Sequence, residues 1–324
     1  MPTDSCRPIL SVDLGGTKIR SAIVLPSGKV MFYRNYETQA DRGPAEIIKK
    51  IVAAIEDTMS IVGLDFNNLQ GLVIASAGII DVNSGVVATS PNLPGWRNIP
   101  LRQIVSEKLG IDISLINDAN AAAIGEHRLG VGQGLDNLVY LTVSTGIGGG
   151  IIVGGKLYAG ADGCAGELGH MVIEDDGPQC NCGNFGCLEI LASGTAMAKE
   201  ARRRIVKGET SCIVEFAGGR IDSITSKIIA LAAKRGDALA YEIINSAAYY
   251  LGVGIANIIN IFNPEIVIIG GGVSKIGEML LKPTRRVVKQ RAFRLPARTA
   301  RIVRSRLSDN ASIIGAALSV FEGQ

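Results

Sequence analysis

Twice in this chain a predicted strand runs into a turn of very small residues and a second strand leaves it. The first copy is residues 8–13, Gly15-Gly16-Thr17 and residues 19–25; the second is residues 138–143, Ser144-Thr145-Gly146-Ile147-Gly148-Gly149-Gly150 and residues 151–153. Glycine permits such turns because it adds no side chain and tolerates positive φ. The repeat predicts an α/β protein of two similar halves facing each other across a cleft. The 324 residues are long for one core and suit two domains.

The rest of the chain fits that frame. A third strand, residues 30–36, completes a meander after Pro26-Ser27-Gly28. Residues 44–62 place Ile47, Ile48, Ile51, Ala54 and Ile55 on one helical face. A buried strand at 72–75, a polar loop through residues 91–96 and a short helix from Leu101 follow. Strand 113–116 ends in Asn117-Asp118, where an alanine-rich helix to Arg128 begins. Residues 189–261 read as mostly helical, followed by strand 266–269, Gly270-Gly271-Gly272 and a closing helix at 311–321. The expected division is residues 1–118 with 311–324 as the smaller domain and 119–310 as the larger.

Composition excludes several classes. An apolar content of 47% with 40 glycines supports a large core with many tight turns. A net charge of +3 with scattered basic residues gives no electrostatic footprint for nucleic acid, and Arg202 to Arg204 read as a solvated helix end. The richest apolar run, 255–269, is broken by Asn257, Asn260, Asn263, Pro264 and Glu265, so no membrane span is expected. There is no signal-peptide layout at the start, and scattered Cys6, Cys164 and Cys212 do not form a disulfide framework. A reducing cytoplasm is the expected location.

Asp13-Leu14-Gly15-Gly16-Thr17-Lys18 puts a carboxylate at a strand end, with open backbone amides, a hydroxyl and a cation close behind. That set suits the β- and γ-phosphates of ATP with magnesium near Asp13, although a plain hairpin turn also accounts for it. Thr145, Gly146 and Gly148 offer a second set of amides. Gly271 and Gly272 come too late in the chain for a dinucleotide fold and suit a turn beneath a purine or ribose. Asp118 is either an N-cap or, at the C-terminal end of a strand, a general base.

One loop is denser in chemistry than any other. Cys180-Asn-Cys182-Gly-Asn-Phe-Gly-Cys187-Leu-Glu189 brings three of six cysteines together, and His170, one of two histidines, lies ten residues upstream. Three sulfurs and an imidazole make the tetrahedral set of a closed structural zinc site; three reduced core cysteines are the plainer reading. Glu167, His170 and Glu189 around that loop suit the hydroxyls of a sugar, or else a solvated surface. His127 reads as an ordinary boundary residue.

At these residues the chain resembles the ROK family of sugar kinases, in particular its bacterial glucokinases. Glu167-Leu-Gly-His170 with the cysteine loop matches the family signature in type and spacing. The resemblance implies an actin-like, hexokinase-type (ribonuclease H-like) fold, an ATP-dependent transfer to a hexose 6-hydroxyl, and a homodimer or tetramer. It implies Asp118 as base; Asn92, Asn117, Glu167, His170 and Glu189 on the sugar; and His170, Cys180, Cys182 and Cys187 on zinc. Ser76-Ala77-Gly78 stands where many relatives have Pro-Gly, and Ser144 where many glucokinases have glycine. Glucose leads over N-acetylmannosamine, N-acetylglucosamine, fructose and allose because residues 91–96 resemble the glucokinase loop. The choice among hexoses, and between ATP and polyphosphate, stays open. A sugar-sensing transcriptional regulator is the reading from another class, and twelve residues before Asp13 are too few for a DNA-reading module.

Overall fold

The computed structural model describes residues 7–90 and 92–321, and the chain divides into two compact units. The first comprises residues up to Gly134, Gly150–Gly166 and the segment from Arg306; the second comprises Leu135–Gly149 and Glu167–Ser305.

In the first unit β1 (Ile9–Leu14), β2 (Lys18–Val24) and β3 (Val30–Glu37) form the antiparallel meander. β4 (Gly71–Ser76) then pairs with β1 in parallel; β5 (Ile79–Asp81), β6 (Val86–Thr89) and β7 (Arg97–Ile99) make a separate small sheet. β8 (Ser114–Asn117) completes the main sheet in the order β3-β2-β1-β4-β8. The meander followed by parallel strands is the pattern expected of an actin-like fold. Helix Pro44–Val62 covers this sheet. It starts with Pro at its first position, ends on Gly63 in the left-handed region, and buries Ile47, Ile51, Ala54 and Ile55 completely.

The first unit runs past the division expected after Asp118. Helix Asp118–Leu129 packs along the terminal helix Ala311–Ser319, so both belong to one core. Fully buried Glu126 strengthens that joint, its carboxylate accepting from the amides of Leu307 at 2.7 Å and Val131 at 3.0 Å.

In the second unit β9 (Leu138–Val143) leads to the turn and to β10 (Ile147–Val153), which begins earlier than its glycines suggested. The chain leaves this unit within β10 and makes the short hairpin with β11 (Lys156–Leu157) in the first. β12 (Ile266–Gly270), buried at every position, pairs in parallel with β9 and with β13 (Arg301–Arg304). Helix Ala238–Phe262 is the main support of this unit and packs against helix Glu278–Arg291. No helix among the described residues is long and apolar enough to cross a membrane.

Candidate functional site

The turn after β1 closes through the Gly15 amide on the Lys18 carbonyl at 2.9 Å, and the Thr38 hydroxyl donates to the Gly15 carbonyl at 2.7 Å. Asp13 stands at the end of β1, where Ser312 of the terminal helix donates to its Oδ1 at 3.1 Å. Burial pushes its carboxyl above the usual aspartate range, and the Ser312 hydroxyl and the Arg20 charge only partly offset this. A carboxylate so placed is suited to a divalent cation, which would reverse that cost. Thr17 and Lys18 are exposed. Gly16 packs on the loop that carries Asn92: a Cβ on Gly16 would lie 2.7 Å from the Asn92 carbonyl oxygen. That loop is held by Leu93 and Trp96, both essentially without exposure, while Asn92 itself is exposed.

At the end of β8 the local geometry separates two roles that the sequence left merged. Asn117 is the N-cap of helix Asp118–Leu129; its side-chain oxygen accepts from the amides of Ala119 at 2.9 Å and Asn120 at 3.0 Å. Its amide nitrogen donates to the Gly78 carbonyl at 3.0 Å, beside the Ser76-Ala77-Gly78 departure from the family pattern. Asp118 is therefore the first helical residue rather than the cap. Its carboxylate sits at the N-terminal end of the helix and accepts from the Ala119 amide at 2.9 Å.

The metal candidate is wholly within the second unit. The ligand atoms of His170, Cys180, Cys182 and Cys187 all lie within 4.8 Å of one another. Cys180 Sγ is 3.7 Å from His170 Nδ1, and Cys182 Sγ is 3.7 Å from Cys187 Sγ. Zinc–sulfur bonds of about 2.3 Å in a tetrahedron give sulfur–sulfur edges of about 3.8 Å, so the residues fit zinc. The separation is far too long for a disulfide of about 2 Å. Burial, with the neighbouring sulfurs, pushes the Cys187 thiol up to about 12. Deprotonating such a cluster therefore calls for a cation at its centre. The loop is shaped by the Cys180 amide on the Asn184 carbonyl at 2.7 Å and by Gly183 and Gly186, both at positive φ.

With Nδ1 turned to the sulfurs, His170 Nε2 lies 3.8 Å from Glu167 Oε2. Burial pushes the Glu167 carboxyl up, the His170 ring opposing and the Glu189 carboxylate adding to the rise. Glu189, the second residue of the short helix Leu188–Ala192 that follows Cys187, accepts from the Ile147 amide at 2.8 Å. The predicted trio is thus one cluster, and it touches the second glycine turn.

Beside that turn is a pocket of about 240 Å³, lined by Ser144, Thr145, Gly194, Thr195, Arg202 and Gly272 among others. The Gly194 amide donates to the Ser144 carbonyl at 2.7 Å, which fixes the N-terminus of helix Gly194–Val206 on the turn. Thr145 and Gly272 of the predicted set line this pocket. Gly146 lies against Glu189, Gly148 sits inside β10, and Gly271 packs on the Val143 backbone. Thr195, Arg202, Thr225 and Ser226 were not foreseen; they reach the pocket from elements distant in sequence and match no motif. Arg202 is not part of a solvated helix end, since its guanidinium donates to the carbonyls of Asp222 at 3.1 Å and Ile224 at 2.9 Å. Arg203 and Arg204 are paired with Glu200, Glu209 and Glu242.

The ROK family model matches residues 9–322. A glucokinase of Thermotoga maritima is 38% identical, with 97% of each chain covered. A xylose repressor of Caldicellulosiruptor bescii is 36% identical over 95% of this chain and 76% of its own length. Among solved structures, a ROK family glucokinase from Streptomyces griseus in complex with glucose and AMPPNP has a TM-score of 0.88 at 34% identity, covering 98% of this chain and 100% of that one.

Proposed function

The chain belongs to the ROK family, and from that premise we propose that it transfers the γ-phosphoryl group of ATP to the 6-hydroxyl of glucose. What carries the reading is the Glu167–His170–Glu189 cluster touching a glycine turn beside a nucleoside-sized pocket, in a chain like glucokinases over nearly its whole length.

Asp118 accepts the proton of the 6-hydroxyl as that oxygen attacks phosphorus. The capping by Asn117 supports this, because it relieves Asp118 of the structural task that competed for it. Asn92, Asn117, Glu167, His170 and Glu189 hold the sugar. The carboxylates accept from hydroxyls, and the second N–H of the Asn117 amide donates. Thr17, Lys18 and the amides of Gly15 and Gly16 hold the transferring phosphates and stabilise the charge that spreads over them. Ser144, Thr145, Gly272 and Arg202 line the site for the nucleoside end. Asp13 would hold magnesium, directly or through water, and the cation would supply positive charge to the phosphate oxygens. His170, Cys180, Cys182 and Cys187 would hold zinc, which would fix the orientation of the imidazole and leave its Nε2 for the sugar. Exposed Ile261, Phe293 and Leu295 give the second unit an apolar face that suits a second copy in a homodimer.

The test is an assay of sugar-phosphate formation across glucose, N-acetylmannosamine, N-acetylglucosamine, fructose, mannose and allose, with ATP and polyphosphate as donors. Turnover with ATP and highest kcat/KM for glucose is expected. Turnover restricted to an acetamido sugar moves the substrate assignment. Absence of turnover with every sugar, in protein that binds glucose, favours a regulator of the kind its repressor relatives represent.

A further inference from the structure

We propose that Glu189 is a positioning residue for the nucleotide, besides its part in holding the sugar, and that it couples the binding of the two substrates. The inference rests on the kinase reading above.

Three observations within the second unit support it. First, the Glu189 carboxylate accepts the Ile147 amide at 2.8 Å, and Ile147 follows directly on the Ser144-Thr145-Gly146 turn whose first two residues line the pocket. Second, the contact is tight: a Cβ on Gly146 would lie 2.2 Å from Glu189 Oε2, so the turn has no latitude to move against the carboxylate. Third, the other sugar-side segment rests on the same residue. A Cβ on Gly169, between Glu167 and His170, would lie 1.9 Å from the Ile147 carbonyl oxygen. Ile147 is thus held on its N–H by one sugar-side segment and packed at its C=O by the other.

The segment that carries Glu189 also continues into the pocket. Helix Leu188–Ala192 ends at Ser193, and the next two residues, Gly194 and Thr195, line the cavity. Their amides donate to the carbonyls of Ser144 at 2.7 Å and Thr145 at 3.4 Å. The turn is therefore fixed to residues 189–195 at both of its ends. A sugar hydroxyl donating to Glu189 shares the carboxylate with the Ile147 amide, so the sugar orders the turn that receives the nucleotide. Such coupling is reciprocal by necessity.

The experiment measures each binding step alone, by calorimetry on the full chain, with Mg–AMPPNP and glucose as probes. With no sugar present, Glu189→Ala is expected to weaken AMPPNP by about tenfold, the scale of one lost charge-assisted hydrogen bond. Glu189→Gln, which keeps a carbonyl acceptor for the Ile147 amide, is expected to restore nucleotide affinity towards wild type. A residue that only held the sugar would leave sugar-free nucleotide affinity unmoved in both. The reciprocal arm, Gly146→Ala, crowds the carboxylate from the nucleotide side and is expected to weaken glucose with no nucleotide present; it decides the matter if Glu189→Ala does not fold. Unchanged AMPPNP affinity in Glu189→Ala, or unchanged glucose affinity in Gly146→Ala, overturns the coupling and leaves the kinase reading intact. Wild-type protein that binds neither probe overturns the kinase reading instead.

Discussion

At Asn117 and Asp118 two adjacent residues have divided the work of a strand end. A helix needs one oxygen for its first free amides, and Asn117 supplies it twice over. The sequence could not make that division, because either residue is a good N-cap; only the backbone shows which one precedes the helix. Asp118→Asn is nearly isosteric, keeps an acceptor for the Ala119 amide, and removes only the capacity to take a proton. The variant is expected to melt with the wild type and bind glucose, while kcat falls by about 10²–10⁴. Glucose calorimetry with single-turnover kinetics separates the two properties. Retained turnover would reduce Asp118 to a part of the helix start.

At the scale of elements, the cysteine loop and the helix ends carry the clearest expectations. The loop was legible because its residue types are rare and closely spaced, whereas the small sheet of β5, β6 and β7 was not. Those strands are three or four residues long and largely exposed at β7, so no alternation could accumulate. β13 failed for the same reason, with arginine at both of its ends. Cys182→Ser leaves a zinc tetrahedron with a poor fourth ligand. It should lower zinc content below one per chain by atomic absorption and weaken glucose binding. Asp237 caps helix Ala238–Phe262, accepting from the amides of Ala240 at 2.8 Å and Cys212 at 2.7 Å and from the Ser211 hydroxyl at 2.9 Å. Burial works against its ionised form, but those donors outweigh it and hold the carboxyl below the usual aspartate range. The depressed folded-state pKa means that its contribution is present above the unfolded aspartate value near 4 and is lost as pH falls through the lower folded value. Asp237→Ala should cost about 1–2 kcal/mol at neutral pH, with the difference from wild type shrinking in acid, as urea melts at pH 7 and pH 3 will show.

For the whole molecule, the first unit is assembled from three separated stretches of chain, and its last stretch arrives after the second unit has been completed. This is why the sequence suggested a division at Asp118, whereas the first unit continues to Gly134. The helix that starts with Asp118 has an apolar, alanine-rich face, but its partner lies almost two hundred residues away and carries no motif. The two helices meet at glycines. A Cβ on Gly315 would lie 1.6 Å from the Ala121 carbonyl oxygen, and one on Gly125 would lie 2.5 Å from the Ala311 carbonyl oxygen. Ser312 on the same terminal helix reaches Asp13, and the Ile313 carbonyl accepts from buried Ser11 at 2.9 Å. The terminal helix therefore sets the position both of the helix that starts with Asp118 and of the strand that carries Asp13 near its end. Gly315→Val has no room at this crossing, and the helices must separate. The expected cost is about 3 kcal/mol, at the upper end of core overpacking. Unlike the loss in Asp118→Asn, the catalytic loss should be accompanied by a lower melting temperature and by a higher KM for ATP, since Asp13 moves with the helix. Zinc content, which depends on the second unit alone, should stay at one per chain. A Gly315→Val protein with normal melting and normal kinetics would show that the crossing does not govern the site.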